Sequence, residues 1–255
     1  MDIKKILVSQ PKPTSDKSPY FDVARKHNVE IIFRPFIKIE GLSSRDFRRQ
    51  RINISDFTAI IFTAKTAVDN FFRLCEEMRI NMPDTTKYFC TNEAIALYLQ
   101  KYIVYRKRKI FVGTTGKLAD LMPYFARHKN ENYLLVVSDV SNSDDAKILE
   151  DAKLKVTRAV MYRTVSNDFT PDEPFDYDML VFFSPQGIDS LLKNFPDFNQ
   201  NDIAIAAFGT NSCKAVTDAG LRLDIEAPNA KARSMAEAID IFLAENNSKP
   251  KAGTN

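Results

Sequence analysis

The chain has 255 residues, 44% hydrophobic and 27% charged, with 36 basic and 33 acidic side chains for a net charge of +3. That balance gives no argument for nucleic acid, and no apolar stretch approaches the ~20 residues that span a bilayer. The cysteines, Cys75, Cys90 and Cys213, form no CxxC pair and no Cys/His ligand spacing, so they offer no metal site and read as reduced thiols.

The elements follow in chain order. Met1-Asp2-Ile3-Lys4-Lys5 runs straight into a strand over residues 3–9, with no secretory leader evident. Ser18-Pro19 opens a helix, serine as cap and proline in the first turn. His27 and His128, each beside a lysine or arginine, read as surface positions. The basic run over residues 45–51 reads as a solvated helix face, and Arg106-Lys107-Arg108-Lys109 as a solvated loop. Short, nearly all-apolar strands are predicted over 29–33, 59–62, 87–90, 109–112, 134–138, 155–160, 179–183, 203–208 and 222–225. Between them, residues 66–78 place Val68, Phe71, Phe72 and Cys75 on one helical stripe. Residues 187–194 do the same with Ile188, Leu191 and Leu192, and 234–243 with Met235, Ile239 and Phe242. Alternating strands and helices predict an α/β protein, and ten strands divide best into two parallel sheets flanked by helices.

An internal repeat supports two related units. Ile60-Ile61-Phe62-Thr63-Ala64-Lys65-Thr66-Ala67-Val68-Asp69 aligns with Leu180-Val181-Phe182-Phe183-Ser184-Pro185-Gln186-Gly187-Ile188-Asp189. Phe89-Cys90-Thr91-Asn92 aligns with Phe208-Gly209-Thr210-Asn211. In parallel sheets, ligands bind where strands end and helices begin, because helix N-termini present unpaired N–H groups and partial positive charge. Thr63, Thr66, Ser184, Gln186, Gly187, Thr210 and Ser212 fall at such ends. They suit carboxylates or phosphates; equally, Ser184, Thr210 and Ser212 serve as plain helix caps and Gly209 as a plain turn residue. No GxGxxG or GxxxxGK[ST] loop occurs, which argues against a nucleotide enzyme.

These segments resemble the uroporphyrinogen-III synthase family. Its Phe-Thr-Ser strand end looks like Phe62-Thr63-Ala64 and Phe182-Phe183-Ser184. Its glycine–threonine turn is similar to Gly209-Thr210-Asn211-Ser212, its Tyr-x-Thr segment to Tyr162-Arg163-Thr164, and its closing stretch to Pro228 through Ile239. The resemblance implies an interleaved architecture: a first domain of residues 1–35 and 166–246, and an inserted domain of 42–160. Connectors at 36–41 and 161–165 join them, and a disordered tail covers 247–255. In that family the substrate cleft lies between the domains.

The resemblance also implies the reaction. Hydroxymethylbilane, a linear tetrapyrrole with eight carboxylates, loses its hydroxyl as water, forms a spiro intermediate at the last ring, and closes with that ring inverted. No cofactor and no metal is implied; the partner is the small polycarboxylate substrate, without nucleic acid or membrane, acted on by a cytoplasmic monomer. Thr63, Lys65, Thr66, Thr114, Ser138, Ser184, Gln186, Gly187, Gly209, Thr210 and Ser212 are the expected substrate-binding positions, and Tyr162 the expected hydrogen-bond donor to the leaving hydroxyl. Departures from the pattern are Ser9-Gln10 for Thr-Arg, Ala64 for serine, Cys90 and Glu93 for glycine and threonine, and Ser212 for threonine. They thin out the binding groups of the inserted domain, so an alternative expectation is a diverged, non-catalytic binder of anionic ligands.

Overall fold

The structure is a computed structural model that describes residues 2–140, 143–170 and 174–247. The expected tail lies outside the described residues apart from Asn247, which ends a helix.

In chain order the elements are β1 (Lys5–Val8), α1 (Pro19–His27), β2 (Glu30–Phe33), β3 (Ile37–Gly41), α2 (Ser44–Arg48), β4 (Ala59–Phe62), α3 (Lys65–Glu77), β5 (Lys87–Cys90) and α4 (Glu93–Tyr98). They continue with β6 (Ile110–Val112), α5 (Met122–Arg127), β7 (Tyr133–Ser138), α6 (Ser143–Asp151), β8 (Val156–Ser166), β9 (Met179–Phe182) and α7 (Pro185–Asn194). The last are β10 (Ala204–Phe208), α8 (Thr210–Asp218), β11 (Ile225–Ala227) and α9 (Met235–Asn247). Two compact units result: Met1–Lys38 with Val165–Asn255, and Ile39–Thr164.

The first unit holds a five-stranded sheet in the order β11-β10-β9-β1-β2, its ladders parallel. Alternation along each strand sorts the side chains onto two faces. Ile6, Val8, Met179, Val181, Ala204 and Ala206 pack under α1 and α9. Leu7, Leu180, Phe182, Ile205 and Ala207 pack under α7 and α8. The α1–α9 contact includes a polar pair: the His27 imidazole, 6% exposed, lies 2.6 Å from the Asp240 carboxylate. His27 is therefore not the surface residue its flanks suggested, because α9 covers it. His128 is half-buried too, its ring 4.7 Å from that of Phe111.

The second unit holds a six-stranded sheet in the order β3-β8-β7-β4-β5-β6. The extra strand, β3, comes from the stretch expected to be a connector, and β8 runs on through the other. Both stretches are extended as expected, but their backbones are hydrogen-bonded in the sheet; Leu42 N–H donates to Met161 C=O, for example. Such backbone has no reason to be left unpaired. One face buries Ile60, Phe62, Leu134, Val136 and Ala159 under α3, the other Ala59, Ile61, Phe89, Leu135 and Val137. On α3 the buried stripe is Val68, Phe71, Leu74 and Cys75, whereas Phe72 leans out to stack on Tyr102 at 4.6 Å.

The basic run over 45–51 folds as a solvated turn of α2 with an apolar anchor. Phe47 is fully buried, and the Gln50 amide exchanges hydrogen bonds of 2.7 and 2.9 Å with the Val160 backbone.

Candidate active site

Each sheet has one place where neighbouring strands lead their chains in opposite directions, and there the carboxyl ends open a crevice. In the first unit the place lies between β1, which leads to β2, and β9, which leads to β10 on the other side. Ser9 directly follows β1 and donates its N–H to Val181 C=O. In the second unit it lies between β4, which leads to β5, and β7, which leads to β8. Thr63 directly follows β4 and Ser138 closes β7, and Phe62 pairs with Val136. The sequence placed Thr63 and Ser138 in the site without showing that their strands are neighbours.

The expected residues of the first unit gather around the starts of α7 and α8. These starts are adjacent because β9 and β10 pair, Phe182 opposite Ala207. Ser184 occupies the N-cap position of α7 with extended backbone, yet its side chain makes no capping hydrogen bond. Its half-buried hydroxyl is therefore not spent on the helix. Gln186 is half-buried and Thr210 exposed, both in first turns whose N–H groups lack helical acceptors. Gly209 has φ +84° and ψ 147°, backbone that essentially only glycine adopts.

Two expected residues turn inward instead. A Cβ on Gly187 would stand 3.2 Å from the Phe182 ring, so this glycine lets α7 pack against β9. Ser212 is 3% exposed on the inner side of α8. Position at a helix start does not decide whether a side chain faces ligand or sheet; the helical phase does.

In the second unit Thr63 and Thr66 are half-buried at the β4–α3 turn, where Ala64 takes the N-cap position. Lys65 lies over the Tyr98 ring, 5.4 Å from its centroid. Ser138 accepts the Val140 N–H at 3.2 Å. Thr114 is set apart at the end of β6, two strands from β4. Its N–H and that of Thr115 already donate to the Asp120 carboxylate, at 3.1 and 2.6 Å. Those hydrogen bonds, with that from the Thr115 hydroxyl, hold Asp120 below the usual carboxylate range. The loop thus carries its own anion.

The second repeated block shifts once strands are compared. Cys90 pairs with Phe62 and Ala207 with Phe182, so Asn92, not Cys90, stands where Gly209 does. Asn92 has ordinary extended backbone and caps α4 by accepting the Ile95 N–H at 3.0 Å. Within this chain the glycine of the first unit's turn is therefore answered by Asn92, and Cys90 lies in the strand itself. Thr91, 1% exposed, carries a hydroxyl with no hydrogen-bond partner among the described residues. Nothing in its sequence context set it apart from a strand-end threonine.

Tyr162 sits on β8 beside a β-bulge, where the pairing with β7 slips between Val137 and Ser138. The extra residue lets consecutive Met161 and Tyr162 enter the same core cluster, against the usual alternation. The ring is 8% exposed, its hydroxyl has no partner among the described residues, and burial pushes the phenol up from its ordinary value. It is therefore neutral at physiological pH. Burial likewise pushes the Cys75 and Cys90 thiols to about 12, which denies them a nucleophilic role near neutrality. Among the described residues no group of three or more His, Cys, Asp or Glu side chains converges on a metal position, and no helix is long and apolar enough to cross a membrane.

The family model described as "Uroporphyrinogen-III synthase HemD" matches residues 19–237. Among solved structures, the uroporphyrinogen-III synthetase of Helicobacter pylori is 15% identical with a TM-score of 0.57, over 95% of this chain and 100% of that one. A mutant uroporphyrinogen III synthase of the extreme thermophile Thermus thermophilus is 12% identical with a TM-score of 0.49, over 96% and 100%. No curated protein matches the chain.

Proposed function

The chain belongs to the uroporphyrinogen-III synthase family, enzymes that cyclise hydroxymethylbilane to uroporphyrinogen III, and we propose that its strand-end turns hold substrate carboxylates while the last ring inverts. Closure without inversion occurs unaided, so the contribution required of the protein is conformational. In the first unit the groups assigned to substrate are the Ser184 hydroxyl, Gln186, Thr210 and the N–H groups opening α7 and α8. In the second they are Thr63, Thr66 and Ser138, with Lys65 near them. Gly187, Gly209 and Ser212 shape those turns rather than touch substrate, and Thr114 takes part only if Asp120 gives way. The observation that carries this reading is Ser184: a hydroxyl at a helix start that the helix itself does not use.

Tyr162 is assigned the hydrogen bond to the departing hydroxyl. A neutral phenol assists the leaving group without setting a charge beside eight carboxylates. A packing role competes, favoured by the place of the ring in the core cluster. Single-turnover conversion of hydroxymethylbilane by Tyr162→Phe decides between them. A loss of about 10–100-fold, at the low end of acid–base assistance, with unchanged melting supports the assignment. An unchanged rate removes Tyr162 from the reaction. The same reading takes the enzyme to be a cytoplasmic monomer without nucleic acid or membrane partner, which gel filtration and cell fractionation check.

A further inference from the structure

At the opposite end of the second unit's sheet, where β5 and β6 begin, lies a cavity of about 250 Å³. Met82, Pro83, Tyr88, Tyr102, Ile103 and Ile110 give it apolar and aromatic walls, and Thr86, Asp84, Arg106 and Lys109 supply its polar groups. Val104 stands on its rim, 78% exposed.

Three polar groups there are unused. Tyr88 is 5% and Thr86 3% exposed, and neither hydroxyl has a hydrogen-bond partner among the described residues. Both hydroxyls border the open cavity, where they can meet a ligand or water. Half-buried Lys109 makes no ion pair among the described residues, while Arg106 is held by Asp84 at 2.9 Å. The charged groups lining the cavity, Arg106, Lys109 and Asp84, therefore leave one cation uncompensated.

We propose that this cavity binds a small monoanion with a flat apolar body, an aromatic monocarboxylate. The carboxylate accepts from Lys109 and from the Thr86 or Tyr88 hydroxyl, while the ring lies among Met82, Tyr88, Ile103 and Ile110. Size fits the class: an apolar cavity of about 150 Å³ holds benzene, and the remaining space admits one carboxylate. The site is separate from the strand ends assigned to the tetrapyrrole.

Benzoate is the probe, titrated into the full chain and followed by amide chemical shifts, with benzamide as its neutral counterpart. Saturable shifts confined to residues 82–88 and 102–110 are expected. Lys109→Gln should weaken benzoate about ten- to a hundredfold, the scale of one charge-assisted hydrogen bond, and leave benzamide unchanged. Val104→Asp, at an exposed position where folding is not at stake, should weaken benzoate as well. Both variants should convert hydroxymethylbilane as the wild type does. Shifts that never saturate, shifts spread over the basic surface, or equal benzoate binding in wild type and Lys109→Gln would overturn the proposal.

Discussion

Ser184 and Ala64 occupy the same position ahead of α7 and α3, with backbone angles of −153°/153° and −149°/155°. One carries a hydroxyl and the other does not, and neither helix receives a side-chain cap. Loss of a working cap costs about 1 kcal/mol, but Ser184 makes no such bond. Ser184→Ala should therefore leave the melting temperature within about 1 °C, a shift corresponding to a few tenths of a kcal/mol, and lower the yield of the inverted isomer. Ala64→Ser should do no harm to either. Thermal melts paired with isomer analysis check this, and a Ser184→Ala variant that loses stability but not product would make the residue a cap.

Gly187 should behave as a packing residue. Its added Cβ meets the Phe182 ring, which is itself fully buried. Gly187→Val is expected to destabilise the fold by about 1–3 kcal/mol, the usual cost of overpacking, measured by denaturant unfolding. Any loss of activity should be recovered at lower temperature. A fully stable variant with impaired substrate handling would return Gly187 to the substrate site.

Gly209 differs in kind. Nothing lies within 4 Å of an added Cβ, so space is not the constraint. The backbone is: φ of +84° strains any L side chain. Gly209→Ala should cost about 1–3 kcal/mol through that strain alone. An unfolding midpoint equal to the wild type's would show that the turn relaxes freely.

The alternation of short apolar strands with amphipathic helices was readable because burial on both sheet faces leaves little else for those strands to be. The unit count followed from the Phe62/Phe182 repeat. The course of the two connectors did not: Ile37-Lys38-Ile39-Glu40 alternates as an extended segment should, but the partner that makes it a strand of the sheet, β8, lies more than 100 positions away. Site positions were legible as strand ends, their facing was not. Gly187 and Ser212 look like ligand positions in sequence and turn inward by helical phase, while Asp120 pre-empts Thr114 from six residues downstream. His27 was misjudged because the helix that covers it, α9, lies at the other end of the chain.

The α1–α9 contact supplies a pH dependence. Hydrogen bonds from Lys26 and His27 hold Asp240 below the ordinary carboxylate range. A depressed carboxylate contributes stability above its unfolded value, and that stability is lost as pH falls through the folded one. Asp240→Asn should therefore melt below the wild type near pH 7, with the gap closing as pH drops toward about 3, below the ordinary carboxylate value. A gap that stays constant across that range would mean that the pair contributes nothing through ionisation.

Hydroxymethylbilane supplied to the purified chain, without added cofactor, followed by separation of the cyclised isomers, shows whether the chain inverts the last ring. Uroporphyrinogen III should be the main product, in excess of the uninverted isomer that forms without enzyme. Only the uninverted isomer, at the rate seen without protein, would mean that the chain does not catalyse the inversion.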